Sequence, residues 1–227
     1  MMNVTMLGHS GFLVETQGYA LVFDYYKGTL PQDAMANASK RVVLASHAHH
    51  DHYNPAIFSW EKTWPPIHFV FSHDIPKRPA AVYLSPGETF CQDALTIKAY
   101  GSTDQGVSFL VRVGTTSLFH AGDLNLWHWR DESTPEEIHE ATQAFRKAME
   151  SLIEEETVVD AAFFPVDPRL RTGYDDGARF FLENIPCRAF FPMHYGKRPH
   201  RIQGFLRWAA ENSFPVRFLQ ARESDSL

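Results

Sequence analysis

Arg41-Val42-Val43-Leu44-Ala45-Ser46-His47-Ala48-His49-His50-Asp51-His52 is the stretch on which the reading of this 227-residue chain turns. Its apolar first half reads as a strand. Its second half packs three spaced histidines and a carboxylate into a few residues. Imidazoles at alternate positions, followed by an Asp-His pair, leave one short loop as two ligand sets pointing two ways, which suits two adjacent divalent ions better than one. The plainer alternative is a histidine-rich surface loop. Against it stand the position at a strand end and the matching residues further along the chain.

Those distant matches are Phe119-His120-Ala121-Gly122-Asp123 and Phe190-Phe191-Pro192-Met193-His194-Tyr195-Gly196. Together with His47, His49, Asp51 and His52 in the pattern His-x-His-x-Asp-His, they make the chain resemble the metallo-β-lactamase superfamily. The opening Met6-Leu7-Gly8-His9-Ser10-Gly11-Phe12-Leu13-Val14-Glu15 looks most like the branch that includes ascorbate-6-phosphate lactonase-type hydrolases. The resemblance implies a mixed α/β fold, a four-layer αββα sandwich formed by residues 1–227 as one domain, with metals at one edge between the sheets. It implies that His47 and His49 hold one ion, that Asp51, His52 and His194 hold the other, and that Asp123 bridges them. Hydroxide generated between the two cations would be the nucleophile, with Asp51 also placed to orient it. Imidazole and carboxylate donors without a thiolate suit Zn²⁺ first and also accept Mn²⁺ or Fe²⁺.

One departure from the family pattern stands out. About twenty residues before the Gly-Asp, where another histidine is usual, the chain reads Tyr100-Gly101-Ser102-Thr103-Asp104-Gln105-Gly106. The first site is therefore short of a ligand. His9, in the Gly-His-Ser turn, is the leading replacement; Asp104 and a water molecule are the others. As a plain turn residue, His9 would instead bond locally to Ser10.

Several further residues are placed by sequence near the centre. Asp24 follows the apolar Leu21-Val22-Phe23 and is positioned to fix the tautomer of a ligand histidine. Trp127 and Trp129, just after Asp123, are candidates for a pocket wall, although they would serve equally to cap the sandwich. His128 between them is a candidate proton donor to a leaving group. Arg169, Tyr195 and Lys197 are candidates to bind an anionic group. His50 should point away from the metals, and His68, His73, His120, His139 and His200 read as ordinary core or surface residues.

Short strands near 3–7, 12–16, 19–24, 41–45, 67–71, 81–84, 94–99, 106–113 and 116–120 predict an antiparallel start and two packed sheets. Thr134-Pro135-Glu136-Glu137 opens a helix with a capping box, and Ile138, Ala141, Phe145, Met149 and Leu152 form its apolar stripe. Further helices are expected at about 175–184 and 201–211, and another starts at Asn54-Pro55. With 44% hydrophobic residues the chain can bury a single core, and a net charge of −6 argues against polyanion binding, so no nucleic-acid partner is expected. Cys91 and Cys187 read as unpaired thiols. No export signal or membrane-spanning run is present, so the expected compartment is the cytoplasm. Oligomeric state is not legible.

The function these features favour is metal-dependent hydrolysis of a small-molecule ester, lactone or phosphate ester. The alternatives are a non-catalytic metal-binding or ligand-sensing protein, motivated by the missing histidine, and a mono-iron redox enzyme.

Overall fold

The computed structural model describes residues 1–155, 158–197 and 199–227. Strands β1 (Met2–Gly8), β2 (Gly11–Thr16) and β3 (Tyr19–Phe23) form the expected antiparallel meander. The next three strands run parallel instead: β4 (Lys40–Ala45) pairs with β3, β5 (His68–Ser72) with β4, and β6 (Ala81–Leu84) with β5. The crossovers make this possible, because helix α1 (Gln32–Asn37) separates β3 from β4 and a 3-10 helix, Pro55–Lys62, separates β4 from β5. The element behind the histidine loop is thus a 3-10 helix, capped by Asn54 Oδ1, which accepts from the Ala56 N–H at 2.9 Å.

The second sheet begins antiparallel, with β7 (Thr89–Gln92), β8 (Leu95–Tyr100), β9 (Ser108–Val113) and β10 (Thr116–His120). Helix α2 (Pro135–Glu154) then crosses over to β11 (Ala161–Pro165), and α3 (Asp176–Asn184) to β12 (Phe190–Met193), both parallel to β10. The Thr134 capping box is formed in full, and Phe145, Met149 and Leu152 are the buried part of the α2 stripe. The last expected helix divides into a 3-10 turn, Pro199–Ile202, and α4 (Gln203–Glu211). A short β13 (Ser224–Ser226) closes the first sheet, whose order is β13-β1-β2-β3-β4-β5-β6 against β12-β11-β10-β9-β8-β7 in the second.

Alternation along the strands decides what lies between the sheets. Phe12, Val14, Leu21, Phe23, Val42 and Leu44 face the second sheet, whereas their neighbours Leu13, Val22, Val43 and Ala45 face the outer layer around α1 and the 3-10 helix. The inter-sheet space is filled by phenylalanine: the Phe12 and Phe163 rings lie 4.5 Å apart and those of Phe163 and Phe191 5.3 Å. On the far side of the second sheet Phe145 meets Phe164 and Phe181 meets Phe119, which fixes α2 and α3 against it. Each such ring contributes about 1.5–3 kcal/mol through burial. Cys91 is exposed on β7, Cys187 is half-buried, and both are free thiols. Among the described residues no helix is long and apolar enough to cross a membrane.

Candidate metal centre

Parallel runs point the carboxyl ends of several strands at one edge, where the chain must leave each sheet through a polar turn. In the first sheet Asp24 follows β3 and Ser46-His47 follows β4; in the second Asp123 follows β10, Asp167 follows β11 and His194 follows β12. The turns are tight. His9, Asp24 and His194 all adopt positive φ (53°, 43° and 66°), so three non-glycine residues in the sparse left-handed region lie within one site.

Close approach of the loops depends on glycine. A Cβ on Gly122 (φ 55°) would lie 2.6 Å from Ser46 Cβ and 2.7 Å from its Oγ. One on Gly106 (φ 71°) would lie 2.0 Å from the Ser46 carbonyl oxygen. Gly122→Ala is therefore expected to cost at least ~2 kcal/mol of stability through strain and overpacking, read as a lowered denaturant midpoint with an unchanged slope.

The two oxygens of Asp123 face two different nitrogen sets. Oδ2 lies 3.5 Å from His47 Nε2, which is itself 3.0 Å from His49 Nδ1. Oδ1 lies 3.1 Å from His52 Nε2 and 2.9 Å from His194 Nε2. Despite these separations Asp123 Oδ1 is buried and makes no hydrogen bond, and the same holds for His9 Nε2. Polar atoms at contact distance but out of line for hydrogen bonding converge on shared space, and cations would satisfy them. Imidazole nitrogens and carboxylate oxygens are a donor set that fits Zn²⁺, Mn²⁺ or Fe²⁺.

Around this core two of the histidines are held from behind. Asp24, fully buried, accepts from His52 Nδ1 at 2.7 Å, from the Ser46 N–H at 2.7 Å and from Ser46 Oγ at 2.6 Å. Asp167, also fully buried, lies 3.6 Å from His194 Nδ1 and is forked by the Arg169 guanidinium. The backs of His52 and His194 are thus each turned to a carboxylate, which orients the ring and raises its basicity.

Known proteins share this chain's sequence pattern and fold. A family model described as the β-lactamase superfamily domain matches residues 3–142, more than half of the chain. The chain belongs to the metallo-β-lactamase superfamily. It is 26% identical over 220 residues to a UPF0173 metal-dependent hydrolase of Desulforamulus reducens, covering 87% of this chain and 86% of that protein. Its fold is like that of Igni18, a metallo hydrolase from Ignicoccus hospitalis, at a TM-score of 0.69 and 18% identity over 100% of this chain and 99% of that one. It is also like that of CmlA, a diiron β-hydroxylase from Streptomyces venezuelae, at 0.64 and 13% identity, covering 100% of this chain and 54% of that one.

Of the two side chains considered for the missing first-site ligand, the leading one is placed elsewhere. His9 does not stand near the first nitrogen set. Its Nε2 is 3.3 Å from Asp51 Oδ2, its ring is 4.1 Å from that of His194, and it clusters with His52 and His194, because the turn between β1 and β2 lies over the end of β12. Asp104 is the residue that clusters with His49 and Asp123.

The wall of the centre also differs in part. A cleft of about 360 Å³ opens over His49, Asp51, Asp104, Asp123 and His194, and its outer wall includes Trp127, Trp129 and Arg169. Trp127 is fixed by its Nε1–H, which donates to the Asp123 carbonyl at 2.8 Å, and Trp129 is exposed at the rim. His128 does not reach this cleft. It alternates away from its two neighbours and is buried beside Asp176 and Gly173, so the expectation of a proton donor is corrected. Tyr195 is corrected likewise: its hydroxyl is buried and donates to the Leu219 carbonyl, turned away from the mouth. Lys197 lines a neighbouring groove with Arg169 and Arg201, across His194 from the cleft.

Sequence reasoning missed three contributors. Ser10 Oγ lies 3.0 Å from His194 Nε2 and 3.3 Å from His52 Nε2, and Asp74 Oδ2 accepts from the Ala48 N–H at 2.9 Å, bracing the histidine loop. Asp167, the third, carries the same signal as Asp24, an acid just past an apolar strand. His120 is core, stacked on Phe23, and the exposed His50 side chain points away from the centre.

Charge at the centre is balanced by protons when no metal is bound. Burial works against the charged forms of His52 and His194, but the Asp123, Asp24 and Asp167 carboxylates outweigh it, raising His194 and lifting His52 to about 10. Asp123 is held well below the usual carboxylate range, its burial more than offset by His194 and His52. Because both imidazoles must be neutral to ligate, metal binding is expected to release protons and affinity to rise with pH. Calorimetric titration in buffers of different ionisation enthalpy measures this release; a buffer-independent heat would contradict it.

Proposed function

We propose that the chain is a metal-dependent hydrolase that uses two divalent ions, Zn²⁺, Mn²⁺ or Fe²⁺, on a small-molecule ester, lactone or phosphate ester. The observation that carries this reading is the division of Asp123, with Oδ2 toward His47 and Oδ1 toward His52 and His194. In it, His47 and His49 hold the first ion, and His52, His194 and Asp51 the second, with His9 beside them. Bound there, two cations would supply an activated water and polarise the substrate oxygen.

The chain's own groups do the rest. Asp24, hydrogen-bonded to His52 Nδ1, keeps that ring in the tautomer that presents Nε2 to the centre, and the Asp167 carboxylate 3.6 Å behind His194 Nδ1 favours the same orientation there. Asp51 lies on the cleft wall, and the His9 imidazole beside it holds its carboxyl well below the ordinary range. It therefore stays ionised and is suited to orient a water by accepting its hydrogen. Trp127 and Trp129 offer a flat apolar wall to the leaving group, and Arg169 a cation at the rim. The cleft volume suits a small substrate, and the free thiols fit the reducing cytoplasm.

Similarity across most of the chain to a protein named as a metal-dependent hydrolase favours hydrolysis over redox chemistry, since the likeness to the diiron hydroxylase is one of fold alone. The test is a panel of generic phosphodiester, phosphomonoester, lactone and carboxylic ester substrates. Hydrolysis lost on chelation and restored by Zn²⁺ or Mn²⁺ is the expected result. Tight metal binding with no turnover of any class would favour a ligand-sensing protein.

A further inference from the structure

We propose that Asp104 is a protein ligand of the first ion, taking the place of the histidine that the chain lacks at Tyr100–Gly106. The site then consists of His47, His49, Asp104 and Asp123. This inference rests on the two-ion reading above.

Ligand atoms of His49, Asp104 and Asp123 lie within 4.8 Å of one another, on the cleft side of the centre. His47 joins them through its Nε2, 3.0 Å from His49 Nδ1. Among the described residues the Asp104 side chain makes no hydrogen bond and no ion pair, and only its backbone N–H is engaged, donating to Ser102 Oγ at 3.3 Å. Asp104 is solvent-exposed, so what points to a cation is its convergence with His49 and Asp123, with no protein group among the described residues competing for its carboxylate.

The segment that carries Asp104 is clamped from both sides. Toward the histidine loop, the Val107 N–H donates to the Ser46 carbonyl at 2.9 Å, and Gly106 is so close to Ser46 and His47 that no Cβ fits. Toward the Asp123 loop, Thr103 Oγ1 donates to the Asn125 carbonyl and accepts from the Asn125 N–H at 3.0 Å. Asp104, one residue from Thr103, is thereby fixed between the two loops that supply the other ligands. Sequence places it in the stretch where the histidine is missing, and the fold brings it to His49 and Asp123.

A consequence follows for metal choice. Exchanging an imidazole for a carboxylate makes the first site richer in oxygen and shifts it toward harder ions such as Mn²⁺, while the second site stays rich in imidazole. The centre is then asymmetric: a partly open, oxygen-rich site beside a buried, nitrogen-rich one.

The experiment compares the wild-type chain with Asp104→Asn and Asp104→His, measuring ions per chain after equilibrium dialysis against Mn²⁺ or Zn²⁺, with a thermal melt to show that each variant is folded. Wild type is expected to hold two ions. D104N should retain one at unchanged affinity and bind the other at least about ten-fold more weakly. D104H should restore two and move the balance toward Zn²⁺. Two ions bound by D104N with wild-type affinity would overturn the proposal, and if that variant also hydrolyses normally, the functional reading survives without it. A wild-type chain that holds fewer than two ions would overturn both.

Discussion

Asp123→Ala is expected to abolish hydrolysis, by at least ~10³-fold, and to release both ions. Its two carboxylate oxygens face the two nitrogen sets, so its loss removes an oxygen from each site at once. Asp123→Asn is the informative companion, because it preserves shape and one carbonyl oxygen but cannot offer two anionic donors. It should keep a single ion. Metal content and turnover measured on the same sample decide the matter, and unchanged metal content with retained turnover would remove the bridging role.

Asp24→Ala is expected to destabilise the fold by about 3–5 kcal/mol, the range for breaking a buried charged pair by removing one partner. Asp24 accepts three hydrogen bonds, from the Ser46 N–H, Ser46 Oγ and His52 Nδ1, and all three donors would be left without it. The same residue gives the metal-free protein an acid dependence of defined sign. Burial alone would raise its pKa, but His120 and the hydrogen bond from His52 outweigh burial and hold it at about 2, below the unfolded value of 3.8. A depressed carboxylate stabilises the fold above its unfolded pKa, and this contribution is lost as pH falls from near 4 through 2. Urea midpoints of wild type and Asp24→Ala should therefore converge in that window. Midpoints that stay equally far apart at its acidic end would contradict the assignment.

Much of this is legible in the sequence because the informative residues sit where strands end. Apolar runs closing on Asp24, Ser46-His47, Asp123 and His194 mark both the strand and its functional turn, and the Thr134 capping box marks a helix start by local chemistry alone. What sequence hid was relative placement. The strands of β3–β6 and β10–β12 run parallel only because of how their crossovers fold, and period-two alternation carries no such direction. The edge strand β7, with the half-exposed pattern Thr89-Phe90-Cys91-Gln92, and the three-residue β13 bury too little to stand out. His9 sits one residue past β1, yet the turn carries it to the end of β12, nearly two hundred positions away in the chain. His128 and Tyr195 adjoin residues that line the centre, but their side chains turn to the opposite side of the chain.

The central claim is that this edge holds two ions bridged by Asp123. Its most direct measurement is the number of Mn²⁺ or Zn²⁺ ions bound per chain as metal is titrated into the chelator-treated protein, with hydrolysis followed on the same samples. Saturation at two ions per chain, with turnover rising as the second binds, is the result this account predicts. Saturation at one ion, or turnover complete with one ion bound, would contradict it.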